Sequence, residues 1–220
     1  MGLIAFTFAR GGSKGIPNKN LQTIGGATLV GLALDMGLKL RVMSHYISTD
    51  SEAIAHCAQS FGASVLRRPD FLCADDSPEW HSWQHAVKHT DLKDTDLFLS
   101  LPATAPLRSE RSVRGCIDLF NSSGADVALC VTPSKKHPSF NMVTTSAGSE
   151  DGEIMLLQNI SNVSRRQDAP RSWDITTICY VARPSFIIEN KSIWDGKVVG
   201  YEVPAEEAVD IDDPIDLAFS

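Results

Sequence analysis

The 220-residue chain has no apolar run of membrane-spanning length, no Cys-x-x-Cys pair and no excess of positive charge. The first absence argues against a transmembrane helix. The second leaves five dispersed cysteines (Cys57, Cys73, Cys116, Cys130 and Cys179), an odd set that favours reduced thiols in a cytoplasmic protein. The third, a net charge of -7, argues against a general nucleic-acid or membrane-surface binder, because both need a basic footprint. No basic segment precedes Leu3, so no signal peptide is read, and Phe6 stands where a myristoylation signal needs Ser or Thr. Internal repeats and low-complexity linkers are also missing. What remains is a single α/β domain over residues 1–220, with 43% hydrophobic residues to build its core.

The richest stretch runs from Ala9 to Asn20. It follows an apolar run, Leu3 to Phe8, that reads as a buried first strand. A glycine-rich loop with Arg10, Lys14 and Lys19 at a strand end is suited to phosphates. Glycines let backbone N–H groups approach anionic oxygens, and the cations supply charge. The spacing is neither Walker A nor Gly-x-Gly-x-x-Gly. A basic surface loop is the competing reading.

Further along, strands and helices alternate. Leu29 to Leu40 reads as a helix, His45 to Thr49 as a strand, and Glu52 to Gln59 as a helix capped near Asp50-Ser51. Strand character returns at 63–66, 96–101, 126–131, 176–182 and 197–203, with helices over 79–89, from Ser109 to about Phe120, and after Asp213-Pro214. Between Pro133 and Asp174 the pattern breaks into polar, glycine-containing pieces, which reads as an inserted arm. The alternation implies a mostly parallel sheet with ligands at the carboxyl ends of its strands.

Three more segments carry chemistry. In Val209-Asp210-Ile211-Asp212 the two aspartates face one side if the backbone is extended, and two hard oxygen ligands suit Mg²⁺. Asp212-Asp213-Pro214 is equally a good helix-capping sequence, so Asp212 has two readings. Arg165-Arg166-Gln167-Asp168 can grip a carboxylate and sugar hydroxyls, or be a solvated charge run. Thr104 to Arg108 follows a central strand and can form a pocket wall. His81, His85 and His89 align on one helical face, but without further ligands they read as packing or surface, and Ser13 has no base arrangement beside it.

Taken together, these segments resemble the acylneuraminate (nonulosonic acid) cytidylyltransferases, the CMP-sugar synthetases. The resemblance rests on Ala9 to Pro17 with Lys19-Asn20, Ser48 to Ala55, Arg68-Pro69, Thr104 to Arg108, Arg165 to Pro170, and Asp210 to Asp212. It implies a Rossmann-like, GT-A-type nucleotidyltransferase: a mostly parallel mixed sheet flanked by helices, with a small dimerisation arm around residues 133–174. It also implies CTP and an acidic sugar as substrates, Mg²⁺ or Mn²⁺ as cofactor, and a homodimer. By the same resemblance Arg10, Gly11, Gly12, Ser13 and Lys14 hold the triphosphate, while Asn20 and Arg68 place the cytidine. Lys19 lies between nucleotide and sugar, and Thr104, Arg165, Gln167 and Thr176 approach the sugar. Asp210 and Asp212 hold the metal. Arg10, Lys14, Lys19 and Asp212 carry the catalysis.

Two departures fall on the sugar side. Pro102-Ala103 replaces the family's Gln-Pro, and Thr176-Thr177-Ile178-Cys179-Tyr180 replaces its Asn-Gly-Ala-x-Tyr. The nucleotide half is therefore intact, while a pseudaminic- or legionaminic-type acid is as admissible as N-acetylneuraminate. A Kdo-type transferase of the same fold and a non-catalytic nucleotide-sugar binding module are the alternatives.

Overall fold

Strand β1 (Leu3–Phe8) buries four residues in a row, Ile4 to Thr7, as a strand covered on both faces must. The computed structural model describes residues 2–12, 15–74, 76–145, 152–159 and 165–219. After β1 come a small hairpin, β2 (Thr23–Ile24) with β3 (Ala27–Thr28), then α1 (Leu29–Leu40), β4 (Ser44–Thr49), α2 (Glu52–Ser60) and β5 (Ser64–Arg67). The chain continues through α3 (Glu79–Lys88), β6 (Leu97–Ser100), α4 (Glu110–Ser123) and β7 (Val127–Pro133). A second hairpin pairs β8 (Val143–Thr145) with β9 (Ile154–Leu156); β10 (Trp173–Ala182), α5 (Pro184–Glu189), β11 (Val198–Glu202) and α6 (Pro214–Phe219) complete it.

Seven strands form one sheet in the order β11-β7-β10-β6-β1-β4-β5. β1 runs parallel to β4 and β6, β4 to β5, and β11 to β7, while β10 is antiparallel to β6. The sheet is thus mixed and mostly parallel, with helices between its strands, as expected. The carboxyl ends of β1, β4, β5 and β6 therefore open on one edge. Apolar clusters occupy the sheet's packed faces: one centres on Leu99, Leu101, Val113 and Phe120, another on Phe6, Trp83, Phe98 and Ile187. Among the described residues no helix is long and apolar enough to cross a membrane.

Local signals set the helix starts. Thr28 caps α1 by accepting from the Gly31 N–H at 3.0 Å, Ser51 caps α2, and Ser109 caps α4 by accepting from the Ser112 N–H at 3.1 Å. Trp80 and Trp83 of α3 sit in the core. His85 and His89 stack at 4.2 Å, and His81 is exposed.

His45 of β4 shows how tightly α1 meets the sheet. A Cβ on Gly37 would lie 2.2 Å from its Nδ1, so only glycine fits there. The Thr7 hydroxyl donates to the Leu101 carbonyl at 3.0 Å, so it must accept from His45 Nε2–H, also at 3.0 Å. Nδ1 is buried without a partner. Burial, helped by the Arg108 charge, pushes the His45 pKa down to about 3. A folded-state value below the unfolded one means the contribution is fully present above about pH 6.5 and is lost as pH falls toward 3. His45→Gln keeps a donor for Thr7 and removes the titration. Its urea midpoint is expected to fall less than the parent's between about pH 7 and about pH 4; parallel declines would show that His45 does not drive the acid loss.

The chain divides into two compact units, Met1–Val131 with Ile175–Ser220, and Thr132–Asp174. In the second unit, His137 is buried: its Nδ1 accepts from the Ser139 N–H at 3.1 Å and its Nε2 donates to the Pro170 carbonyl at 2.9 Å. Val143, Ile154, Met155, Leu156 and Leu157, on and beside the β8–β9 hairpin, are all exposed.

Candidate active site

Four strand ends of the first unit feed one cradle. The chain leaving β1 carries Arg10 and Gly11, then turns at Asn18, whose φ of 50° is a left-handed value asparagine tolerates. That turn starts the short 3-10 segment Lys19–Leu21. Asn20 is buried, and its Nδ2 donates to the Arg10 carbonyl at 3.0 Å, tying the two arms of the loop together. Arg10 Nη1 donates to the Cys73 carbonyl at 3.0 Å. The Gly11 N–H donates to Asp50 Oδ1 at 2.7 Å, just past β4. Gly12 is exposed with no atom near its missing Cβ. Ser13 and Lys14 lie outside the described residues.

The aspartate segment meets this loop directly. A Cβ on Gly15 would stand 2.6 Å from the Asp212 carbonyl, so the two backbones approach as closely as glycine alone permits. Lys19 Nζ pairs with Asp212 Oδ1 at 3.0 Å. Ile211 is fully buried with Ile16, Leu29 and Ala103, an apolar footing shared by the loop, α1 and the segment after β6. Its N–H donates to the Thr104 carbonyl at 2.9 Å. Asp210 and Asp212 flank Ile211, and the Asp212 carboxylate is mostly open to solvent.

Asp210 Oδ1 is buried and makes no hydrogen bond. A desolvated carboxylate oxygen without a donor is costly, and it marks a place where a cation or donor from outside belongs. Its charge acts on Arg108, Glu79 and Tyr180. Arg108 is buried, and it braces the loop after β6 by donating from Nε to the Ala105 carbonyl at 2.9 Å and from Nη2 to the Pro102 carbonyl. Burial pushes its pKa down to about 10, against the pull of Cys179, Cys130 and Asp210.

Arg68 follows β5. Its guanidinium lies 5.8 Å from the Phe8 ring centroid, its Nε donates to Ser48 Oγ at 3.2 Å, and its Nη2 is buried with no partner. Burial lowers its pKa, and the Cys73, Glu79 and Asp50 charges oppose that. Glu79 at the start of α3 accepts from Trp83 Nε1 at 3.0 Å. Desolvation raises its carboxyl pKa, against that hydrogen bond and Arg68. Tyr180 is raised too, by burial first and then by Glu79 and Asp210.

The structure therefore brings together Arg10, Gly11, Lys19, Asn20, Arg68, Thr104, Asp210 and Asp212. Thr176 is buried, and its hydroxyl donates to the Cys130 carbonyl at 3.1 Å, so that group is already engaged within the sheet. Arg165 and Gln167 belong to the second unit. There Arg165 Nε donates to Asp168 Oδ2 at 2.8 Å, a fork already holding a carboxylate. Glu79 and Tyr180 were not among the site residues proposed from the sequence: Glu79 opens a helix with no motif around it. Tyr180 ends a run whose chemistry had been sought at its first residue.

An α/β sheet that brings cations and aspartates to its carboxyl edge has them where such sheets bind ligands. A family model described as cytidylyltransferase matches residues 4–173, and the chain belongs to that family. It is 28% identical over 215 residues to the post-translational flagellin modification protein B of Campylobacter coli, covering 95% of this chain and 89% of the relative. It is 29% identical to the CMP-N,N'-diacetyllegionaminic acid synthase of Campylobacter jejuni, with the same coverage. Against N-acylneuraminate cytidylyltransferase B of Danio rerio it is 28% identical and spans 49% of that longer protein. Among solved structures it is similar to a CMP:2-keto-3-deoxy-manno-octonic acid synthetase complexed with CTP, at a TM-score of 0.71 and 14% identity, covering 100% of this chain and 96% of that one. At that identity the likeness speaks for the fold.

Proposed function

We propose that this chain transfers CMP from CTP to the anomeric hydroxyl of an acidic nine-carbon sugar, releasing pyrophosphate. The observation that carries the reading is the unpartnered Asp210 carboxylate oxygen, two residues before the Asp212 that pairs with Lys19 of the glycine-rich loop. The names of the Campylobacter and zebrafish relatives support the substrate class.

In this reading Arg10, Lys14 and the Gly11–Ser13 backbone take the triphosphate. Asn20 orders the loop for the cytidine, and Arg68 offers its free N–H there. Lys19 neutralises charge between the attacking hydroxyl and the α-phosphate. Such transfers depend on positioning and charge neutralisation, which is what cations on a rigid sheet edge provide. Asp210 and Asp212 fit Mg²⁺ or Mn²⁺: both are hard oxygen donors, and Asp210 Oδ1 lacks any partner of its own. When bound, the ion would neutralise charge on the phosphate oxygens. Thr104 in the first unit and Arg165 and Gln167 in the second are the candidates for the sugar; Thr176 could take part only by giving up its hydrogen bond to the Cys130 carbonyl. The cytoplasm suits five free thiols.

The test is pyrophosphate release across a panel of acid sugars, with Kdo included. CTP, one nonulosonic acid and a divalent metal should all be required, and chelation should stop turnover. Release with Kdo alone would move the substrate class, and CTP binding without any turnover would favour a binding module. In the same assay Arg165→Lys is expected to raise the sugar KM about 10-fold or more and leave the CTP KM unchanged, because the ammonium keeps charge but loses the fork. A changed CTP KM instead would place Arg165 with the nucleotide.

The exposed apolar hairpin of the second unit supports a homodimer through that arm. Light scattering should give a dimer at micromolar concentration and a monomer for Ile154→Asp. A fully active monomeric parent would rule the arm out.

A further inference from the structure

Three of the five cysteines, spread over more than sixty residues of sequence, meet in the core. Cys116 comes from α4, Cys130 from β7 and Cys179 from β10, and each is wholly shielded from solvent. Their sulfurs all lie within 4.8 Å of one another, and the Cys130 and Cys179 sulfurs are 3.6 Å apart. Packing alone explains buried cysteines, which behave as small apolar side chains. It does not explain why three thiols from three elements point at one spot. An ion bonded to thiolates at about 2.3 Å holds its sulfurs roughly 3.8–4.0 Å apart, whether tetrahedral or trigonal. The cluster is already close to that spacing.

A second observation concerns charge. Arg108 is buried, its Nη1 has no hydrogen-bond partner, and Cys179 and Cys130, if ionised, would act on its charge alongside Asp210. A buried cation needs a compensating anion. Three thiolates and one divalent ion carry a net charge of minus one, which the guanidinium balances.

We propose that Cys116, Cys130 and Cys179 form a three-thiolate site for one soft divalent cation of the zinc class. Binding exchanges three thiol protons for the ion, so three protons leave to solvent as three metal–sulfur bonds form. The site would pin α4 to β7 and β10 at the centre of the sheet. It is separate from the carboxylate pair, which presents hard oxygen donors.

Cadmium is the probe, because its thiolate bonds give a charge-transfer absorption that carboxylates do not. The full chain, reduced with a phosphine and stripped of metal, is equilibrated with cadmium long enough for local opening, or refolded with cadmium present. One equivalent per chain should bind with thiolate absorption and raise Tm. Cys130→Ala and Cys179→Ala should lose the absorption, while the Cys57→Ala/Cys73→Ala double variant keeps it. Should the alanine variants not fold, Cys116→Ser, nearly isosteric, is expected to weaken cadmium binding at least 10-fold. No thiolate absorption in the wild-type chain, or absorption lost with Cys57 and Cys73, would overturn the site. So would absorption that survives Cys130→Ala. None of these readings involves CTP turnover.

Discussion

Asp210→Asn is expected to lose CMP transfer by about 10²–10³-fold, the scale for removing one preorganised charge-stabilising group, while folding as well as the parent. The carboxylate has a buried oxygen with no donor, so nothing in the fold depends on its negative charge as a hydrogen-bond acceptor at that atom. Asparagine has the same shape and removes the charge. Arg108 loses one of the anions acting on it but keeps its Ala105 and Pro102 carbonyl acceptors. Tm should therefore move by less than about 4 °C, the shift of roughly 1 kcal/mol for a chain of this size. The kinetic loss should appear in kcat at saturating CTP and sugar, since the charge matters most where the leaving group develops its own. Raising Mg²⁺ should recover part of the rate if the side chain holds the ion. Near-parental turnover would remove Asp210 from the site and leave its orphaned oxygen without an explanation.

Much of this arrangement was legible before any coordinates. The apolar pattern placed β1 and α1 at their observed limits, because Leu3 to Phe8 is apolar but for Thr7 and Leu29 to Leu40 is densely apolar; the Thr28 cap and the left-handed Arg41 that end α1 were not read from the sequence. The Arg10 loop was legible as a glycine-rich, cation-bearing turn at a strand end, with a basic surface loop as its competing reading. Strand order was not. Nothing in residues 173–182 says that they insert between β6 and β7, antiparallel to β6, since a strand's own residues do not name its neighbours. Strand β10 also begins at Trp173, three residues before its apolar core, and α5 follows it with no capping side chain to announce it. Spacing along the chain is equally silent on the thiol cluster, because Cys116, Cys130 and Cys179 are joined only by tertiary packing. Arg68 was legible from its motif alone; its position over Phe8 depends on β5 lying two strands from β1.

Asp212→Asn and Asp213→Ala, adjacent in sequence, should fail in opposite ways. The sequence left Asp212 with two readings, metal ligand or helix cap. In the structure Asp213 is the cap: its Oδ1 accepts from the N–H groups of Ile215 and Asp216 at 2.7 and 2.9 Å. Asp216 reaches back, its Oδ2 accepting from the N–H groups of Asp212 and Asp213 at 2.9 Å each, which completes a reciprocal capping box. Those backbone hydrogen bonds hold the Asp216 carboxyl below the usual range. Asp212 gives α6 only its N–H. Its carboxylate is turned to Lys19, and most of its surface is open. Asp213→Ala should thus lower stability by about 0.5–2 kcal/mol, the usual cost of a lost N-cap, with a smaller effect on turnover. Asp212→Asn should unfold like the parent and lose about 10²-fold or more in kcat, on the scale of a lost charge-stabilising contact. The loss should shrink in a Lys19→Ala background, where the same pair is already broken, because coupled groups are not additive. Denaturant melts and pyrophosphate release on the two single variants decide the matter. If Asp212→Asn melts early and Asp213→Ala is the one that stops transfer, the aspartate facing Lys19 is structural and the metal pair has been misassigned.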